Sequence, residues 1–281
     1  MKSIQCIKRE TAERLTAYYP PDEAEAISRI LVEEIGGKPY PSLVLEAYKL
    51  TEKELATLSD ETDRLLRHEP LGQVIGRAWF GDLPLKVTRR TLIPRPETEE
   101  LCERIVSKGW LASARTALDV GTGTGAIALF LKSRAPQVEV HALEIDPETL
   151  AVAEGNARNL ALPVRFHLGS ILDGEPLGAF DLVVSNPPYI LPSEREEMMP
   201  HVLEYEPHGA LFVPKEDPLL FYRAILERLG SDMSSGSRIA LELNPLTAED
   251  VEALYREAGF RTELSRDLYG KVRFLFAEKT D

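Results

Sequence analysis

The run Thr116-Ala-Leu-Asp-Val120, followed directly by Gly121-Thr-Gly123-Thr-Gly125 and then Ala126-Ile-Ala-Leu-Phe-Leu131, constrains the fold more than any other feature of the chain. A short apolar, β-branched run reads as a buried strand, the glycines as a tight turn, and the second apolar run as a helix. The alternation repeats downstream. Further strands are predicted at residues 138–144, 164–168, 180–184 and 238–243, with helices at 148–160, 218–229 and 248–258. Two last strands are predicted near 262–264 and 272–277. Repeated strand–helix units need crossover connections, so they imply an α/β, doubly wound, Rossmann-like parallel sheet, closed at one end by an antiparallel pair.

The first 70 residues differ in pattern. Ile4, Ile7, Leu15 and Tyr18 recur at helical spacing, and Pro20-Pro21-Asp22 breaks the chain before a helix carrying Ile27, Leu31 and Ile35 that should stop at Gly36-Gly37. Thr51 and Glu54 have capping-box spacing ahead of Leu55, Leu58, Leu65 and Leu66. Residues 1–70 are therefore expected to form a small helical bundle and 71–96 a β-hairpin linker, marked by Gly72, Gly76 and Gly81 around Trp79-Phe80. Residues 97–281 then form the sheet domain.

Composition limits what such a protein can do. Lys and Arg total 33 against 46 Asp and Glu, a formal charge of −13. A protein that neutralises many phosphates normally presents a basic face, so extended nucleic-acid binding is not expected. No apolar run approaches the roughly 20 residues of a membrane span, and the opening residues lack the apolar core of a signal peptide, so no membrane association and a cytoplasmic location are expected. Cys6 and Cys102 fall in helices of different domains and read as buried, inert thiols. The five histidines are scattered without ligand spacing, so no metal is expected.

A glycine turn opening a helix is a general ligand cradle. Two carboxylates narrow it. Asp119 precedes the glycines, where it would repel a pyrophosphate but could accept from an ammonium; Glu144 ends the second strand, where its oxygens could accept from ribose hydroxyls. With Gly121, Thr122, Gly123, Thr124 and Gly125, these point to S-adenosylmethionine. Ser170 and Ile171, after the third strand, are candidates to frame the adenine.

Ser185-Asn186-Pro187-Pro188-Tyr189 leaves the fourth strand at the sheet's carboxyl edge, where ligands bind in such folds. An amide or ring-amino nitrogen is a poor nucleophile because its lone pair is delocalised, so it must be positioned. The side-chain oxygen of Asn186 and the carbonyl of Pro187 can each accept one N–H of an NH2 group, aiming the remaining lobe at a methyl donor. Pro188 stiffens the loop and Tyr189 offers a flat face to a planar group. Asn186, Pro187 and Tyr189 are the candidate catalytic residues, and Asn186 also borders the cofactor.

Four blocks together, residues 92–99 (Leu-Ile-Pro-Arg-Pro-Glu-Thr-Glu), 118–128, 184–190 and 204–211 (Glu-x-Glu-Pro-x-x-Ala-Leu), resemble the peptide chain release factor glutamine N5-methyltransferases, the HemK/PrmC family. The resemblance spans essentially the whole chain. It implies a class I methyltransferase sheet, S-adenosylmethionine as methyl donor, and the glutamine of the release-factor Gly-Gly-Gln loop as acceptor. It further implies an amino-terminal domain that helps dock the factor. Separately, a monomer is expected. Asn186 to Tyr189 would hold the glutamine. Arg95 and Glu97 would line the pocket mouth or pair with each other, and Glu204 and Glu206 could latch the loop. One departure stands out: Glu242-Leu-Asn244-Pro245-Leu-Thr247 replaces the family's Glu-x-Gly followed by Gln. Alternatives are an adenine N6-methyltransferase, a ribosomal-protein glutamine methyltransferase, and a non-catalytic adaptor that binds the cofactor.

Overall fold

The computed structural model describes residues 2–173 and 178–280. It divides into two compact units: the described residues through Arg77 together with Met199–Tyr205, and Ala78–Met198 together with the described residues from Glu206 onward.

The first unit is helical, with helices Ile4–Leu15, Pro21–Gly36, Tyr40–Leu45, Glu52–Leu66 and Leu71–Ile75. Its ends follow local chemistry. Ser3 caps the first helix by accepting from the Cys6 N–H, and Gly37 closes the second in the left-handed conformation at φ 65°. Thr51 and Glu54 form a reciprocal capping box. Leu15, Leu31, Leu43 and Leu65 meet in its core. Cys6 is half-buried, contrary to expectation, with its sulfur beside Glu10; Cys102, in the other unit, is fully buried, which pushes its thiol up.

The strands are β1 (Arg77–Phe80), β2 (Leu83–Lys86), β3 (Thr116–Val120), β4 (Glu139–Glu144), β5 (Arg165–Leu168), β6 (Leu182–Ser185), β7 (Arg238–Glu242), β8 (Phe260–Arg266) and β9 (Val272–Lys279). β1 and β2 form the short hairpin, and the other seven form one sheet in the order β5-β4-β3-β6-β7-β9-β8. β5 through β7 run parallel, whereas β9 is antiparallel to both β7 and β8. Phe80, Leu83 and Leu85 are buried in the sheet core, and the side chain of Asn156 bonds both the N–H and the carbonyl of Lys86. The expected helix at 218–229 is α-helical only over Leu220–Ile225 and continues as a π-turn over Leu226–Gly230.

Helices cover both faces of the sheet. One core includes Leu101, Ile105, Phe130 and Phe276; the other includes Ile225, Leu241, Val251 and Tyr255. Strand order reverses between β3 and β6. The crevice beyond their carboxyl ends is therefore the switch point where folds of this kind bind ligands.

Candidate active site

Register places the site. Val120 pairs with Leu143 on one side and Ser185 on the other, and Ser185 pairs with Leu241. The next residues along the four strands, Glu144, Gly121, Asn186 and Glu242, therefore form a row across the carboxyl edge. The hydroxyl of Ser185 donates to the carbonyl of Val120 at 2.7 Å, fastening the two central strands where their loops depart.

On the β3 side, the turn folds back on β4. The N–H groups of Gly121 and Thr122 both donate to the carbonyl of Leu143. Asp119 is fully buried, and its Oδ2 accepts from Thr122 Oγ1 at 2.6 Å and from the Ala128 N–H at 3.1 Å. Its Oδ1 is buried without a partner. Burial pushes this carboxyl up to about 7; the two donated hydrogens pull it down and nearby Glu144 adds to the rise. Gly121, Gly123 and Gly125 all have positive φ, and a Cβ at either of the first two would project into open space. Gly125 is different: a Cβ there would lie 3.1 Å from Leu129. Thr124 is buried, and its carbonyl accepts from Asn156, which ties the turn to β2.

Glu144 is already engaged. Its Oε2 accepts from the Gly123 N–H at 2.9 Å and its Oε1 from the N–H groups of Ile145 and Asp146. The carboxylate thus holds the glycine turn, and Oε2 is the oxygen that keeps a free lone pair. Ser170 accepts from the Leu172 N–H, while Ile171 is buried in the core.

The β6 loop is held from the helix Pro96–Ser107 and from β7. Asn186 Nδ2 donates to Thr98 Oγ1 at 2.9 Å, Thr98 Oγ1 donates to Glu242 Oε2 at 2.7 Å, and the Tyr189 hydroxyl donates to Glu242 Oε1 at 2.8 Å. Burial pushes the Tyr189 phenol well above its usual range, and the Glu242 carboxylate beside it acts in the same direction. The Glu242 carboxyl is itself raised by burial, partly offset by the hydrogens it receives and by Arg273. Arg273 lies over the Tyr189 ring, 6.0 Å from its centre, so one of the two ring faces is covered. Pro187 is buried and Pro188 half-buried. Among the described residues, none donates to Asn186 Oδ1 or to the Pro187 carbonyl.

Arg95 pairs with Glu206, whose other oxygen accepts from the Ile93 N–H at 3.1 Å. Two of the resembling blocks are therefore joined by one buried carboxylate. Glu97 is in no ion pair among the described residues, and Glu204 is exposed. Of the two acidic residues expected at this loop, Glu206 makes these contacts and Glu204 makes none of them.

Sequence reading gave no role to Thr98, Glu242 or Asn244. Asn244 Nδ2 donates to the Tyr189 carbonyl at 3.0 Å and to Glu194, so the departing segment still grips the β6 loop. One signal was available for Glu242: like Asp119 and Glu144, it is an acidic residue that follows an apolar pair at or next to the carboxyl end of a strand.

The fold, the glycine turn at its switch point and the Asn-Pro-Pro-Tyr loop beside it define a Rossmann-like methyltransferase. Residues 98–206 match the family model "Methyltransferase small domain". A methyltransferase structure from Pyrococcus furiosus shares the fold, with a TM-score of 0.54 and 22% identity over 79% of this chain and 100% of that one. Several relatives named release factor glutamine methyltransferase are similar over nearly their whole length. The Flavobacterium psychrophilum protein is 34% identical, over 97% of this chain and 98% of its own. The Deinococcus radiodurans protein is 35% identical, over 99% of each. The chain belongs to the release factor glutamine methyltransferase family.

Proposed function

We propose that this enzyme transfers the methyl group of S-adenosylmethionine to the side-chain amide nitrogen of the Gly-Gly-Gln glutamine in peptide chain release factors. One observation carries the proposal: the in-register row Glu144, Gly121, Asn186, Glu242, which sets a glycine cradle and an amide-binding loop on neighbouring strands.

The residues of the cradle fit the cofactor. The partnerless Oδ1 of Asp119 is an acceptor available to an ammonium, and the open space beside Gly121 and Gly123 admits a ligand against bare backbone. Acidic side chains along the edge suit a sulfonium cation and oppose a pyrophosphate. Glu144 Oε2 is placed to accept one ribose hydroxyl, and Ser170 with Ile171 borders the adenine. When bound, the cofactor supplies a methyl group on positively charged sulfur.

The chain's own residues prepare the acceptor. Asn186 Oδ1 and the Pro187 carbonyl take the two hydrogens of the glutamine NH2 group. That grip fixes the nitrogen in line with the methyl and provides negative dipoles where positive charge develops. Tyr189 and Pro188 wall the amide plane. The methylated nitrogen then releases one hydrogen as a proton to water, so no strong base is needed. Arg95 shapes the mouth through Glu206, and Glu97 flanks it. The helical unit supplies docking surface for the release factor, and the enzyme works as a cytoplasmic monomer.

The deciding experiment incubates the protein with labelled S-adenosylmethionine and a purified release factor, its Gln→Ala loop variant, ribosomal proteins, or unmethylated DNA. Label confined to the intact release factor is the expected result. Label on DNA, or equal label on both release-factor forms, would reject the assignment.

A further inference from the structure

We infer that Thr98 and Glu242 are positioning residues that set which end of the Asn186 side-chain amide faces the acceptor. The inference rests on Asn186 being the group that receives a hydrogen from the target nitrogen. A carboxamide has two ends of nearly the same shape, and only one of them can accept. With its NH2 end outward, Asn186 would present hydrogens to the hydrogens of the glutamine.

With Glu242 ionised, the network permits one orientation. Glu242 is 1% exposed, and its two oxygens receive two hydroxyl hydrogens, from Thr98 at 2.7 Å and from Tyr189 at 2.8 Å. A threonine hydroxyl has a single hydrogen. Because that of Thr98 is directed at Glu242, Thr98 can only accept from Asn186, and only Nδ2 can donate to it, at 2.9 Å. Oδ1 is thereby turned outward, where no described residue donates to it. The other carboxylate oxygen fixes the Tyr189 ring, and Asn244 holds the carbonyl of the same tyrosine at 3.0 Å. One buried carboxylate on β7 thus orients both ends of the Asn-Pro-Pro-Tyr loop without touching substrate.

The test compares Thr98→Val, which keeps the shape and loses the hydroxyl, with Thr98→Ser, which keeps the hydroxyl. At saturating release factor and S-adenosylmethionine, Thr98→Val is expected to lower kcat by at least about tenfold, the scale of one lost oriented hydrogen bond. Its cofactor Kd, read by calorimetry, should change by less than about twofold, and Thr98→Ser should restore kcat to within about threefold of wild type. In an Asn186→Ala background, Thr98→Val should lose nearly all its effect, because the group it orients is gone. Wild-type kcat in Thr98→Val, or an undiminished loss in the Asn186→Ala background, overturns the inference. Should Thr98→Val not fold, 15N-labelled wild-type protein decides the matter. The Asn186 side-chain amide, assigned by its disappearance in Asn186→Ala, should show one slowly exchanging hydrogen; two freely exchanging hydrogens refute the orientation. Failure of the wild-type enzyme to label release factor would reject the proposed function, and the NMR measurement would still report on the orientation.

Discussion

Cofactor binding is expected to expel a proton from Asp119. In the free protein, burial pushes this carboxyl from 3.8 up to about 7, so below that pH it is largely neutral. An ammonium set against the partnerless Oδ1 favours the charged form and lowers the pKa again. If the bound carboxyl is fully charged, then at pH 6 about 0.9 of a proton leaves per cofactor bound, and at pH 7 about half. The lower pH is the cleaner choice because an α-amino group, with a reference pKa of about 8, is already fully protonated there. The assay is isothermal titration calorimetry at pH 6 in two buffers of different ionisation enthalpy, where the difference in observed heat gives the proton count. Asp119→Asn should bind more weakly and lose the buffer dependence. Equal heats in both buffers for the wild type, or the same buffer dependence in the variant, would refute the reasoning. The linkage has a second face. A carboxyl whose folded-state value is raised holds its proton more tightly when folded than when unfolded, so stability of the free protein falls as pH rises from about 4 to about 7. The rise from 3.8 to about 7 bounds that loss at about 4 kcal/mol, and Asp119→Asn should flatten it.

Asn186→Ala is expected to keep cofactor affinity and lose transfer by at least about 100-fold in single-turnover assays, comparable to deleting one oriented polar group; unchanged turnover would remove Asn186 from the reaction. Arg95→Met leaves the buried Glu206 carboxylate with only the Ile93 N–H, and urea unfolding should show a loss of about 2 kcal/mol, whereas Glu206→Gln, which removes the charge as well, should cost less. Gly125→Ala imposes a left-handed backbone on alanine and drives its Cβ toward Leu129, so the melting transition should drop by the equivalent of about 1–3 kcal/mol. In the helical unit, Thr51→Ala breaks the capping box and should cost about 1 kcal/mol in the same unfolding assay.

The elements most legible in the sequence are those whose cause is local. β3 begins and ends where the apolar run does, and the glycine turn follows because only glycine accepts three positive φ angles so close together without strain. The capping box at Thr51 likewise needs only residues within one helical turn. The placement of Asn186 beside the glycines could be read from strand order, since both loops leave the switch point of a doubly wound sheet. What the sequence hid is the set of partners fixed by register between distant segments. Arg95 was open to pairing with Glu97, two residues away, and instead meets Glu206, 111 residues on, because the loop after β6 returns to the start of the helix at Pro96. Glu144 was read for its free oxygens, yet the Gly123 N–H reaches one of them once β4 lies beside the turn, while the next two N–H groups along the chain occupy the other. Thr98 and Glu242, 144 residues apart, become neighbours only when that helix packs at the end of β7. Asn244 lay in the one segment where the family pattern breaks, so no role could be carried over to it.

The order of strands at the outer end of the sheet bears on how the protein is made. β8 leaves the ribosome before β9, yet β9 is the strand that joins β7, and β8 reaches the sheet only through it. Until β9 emerges, the backbone of β7 on that side stays unpaired, a template for any passing extended segment. The hairpin of β8 and β9 is a local pairing, so the nascent chain is expected to add it as a finished ribbon that seals the open border in a single docking event.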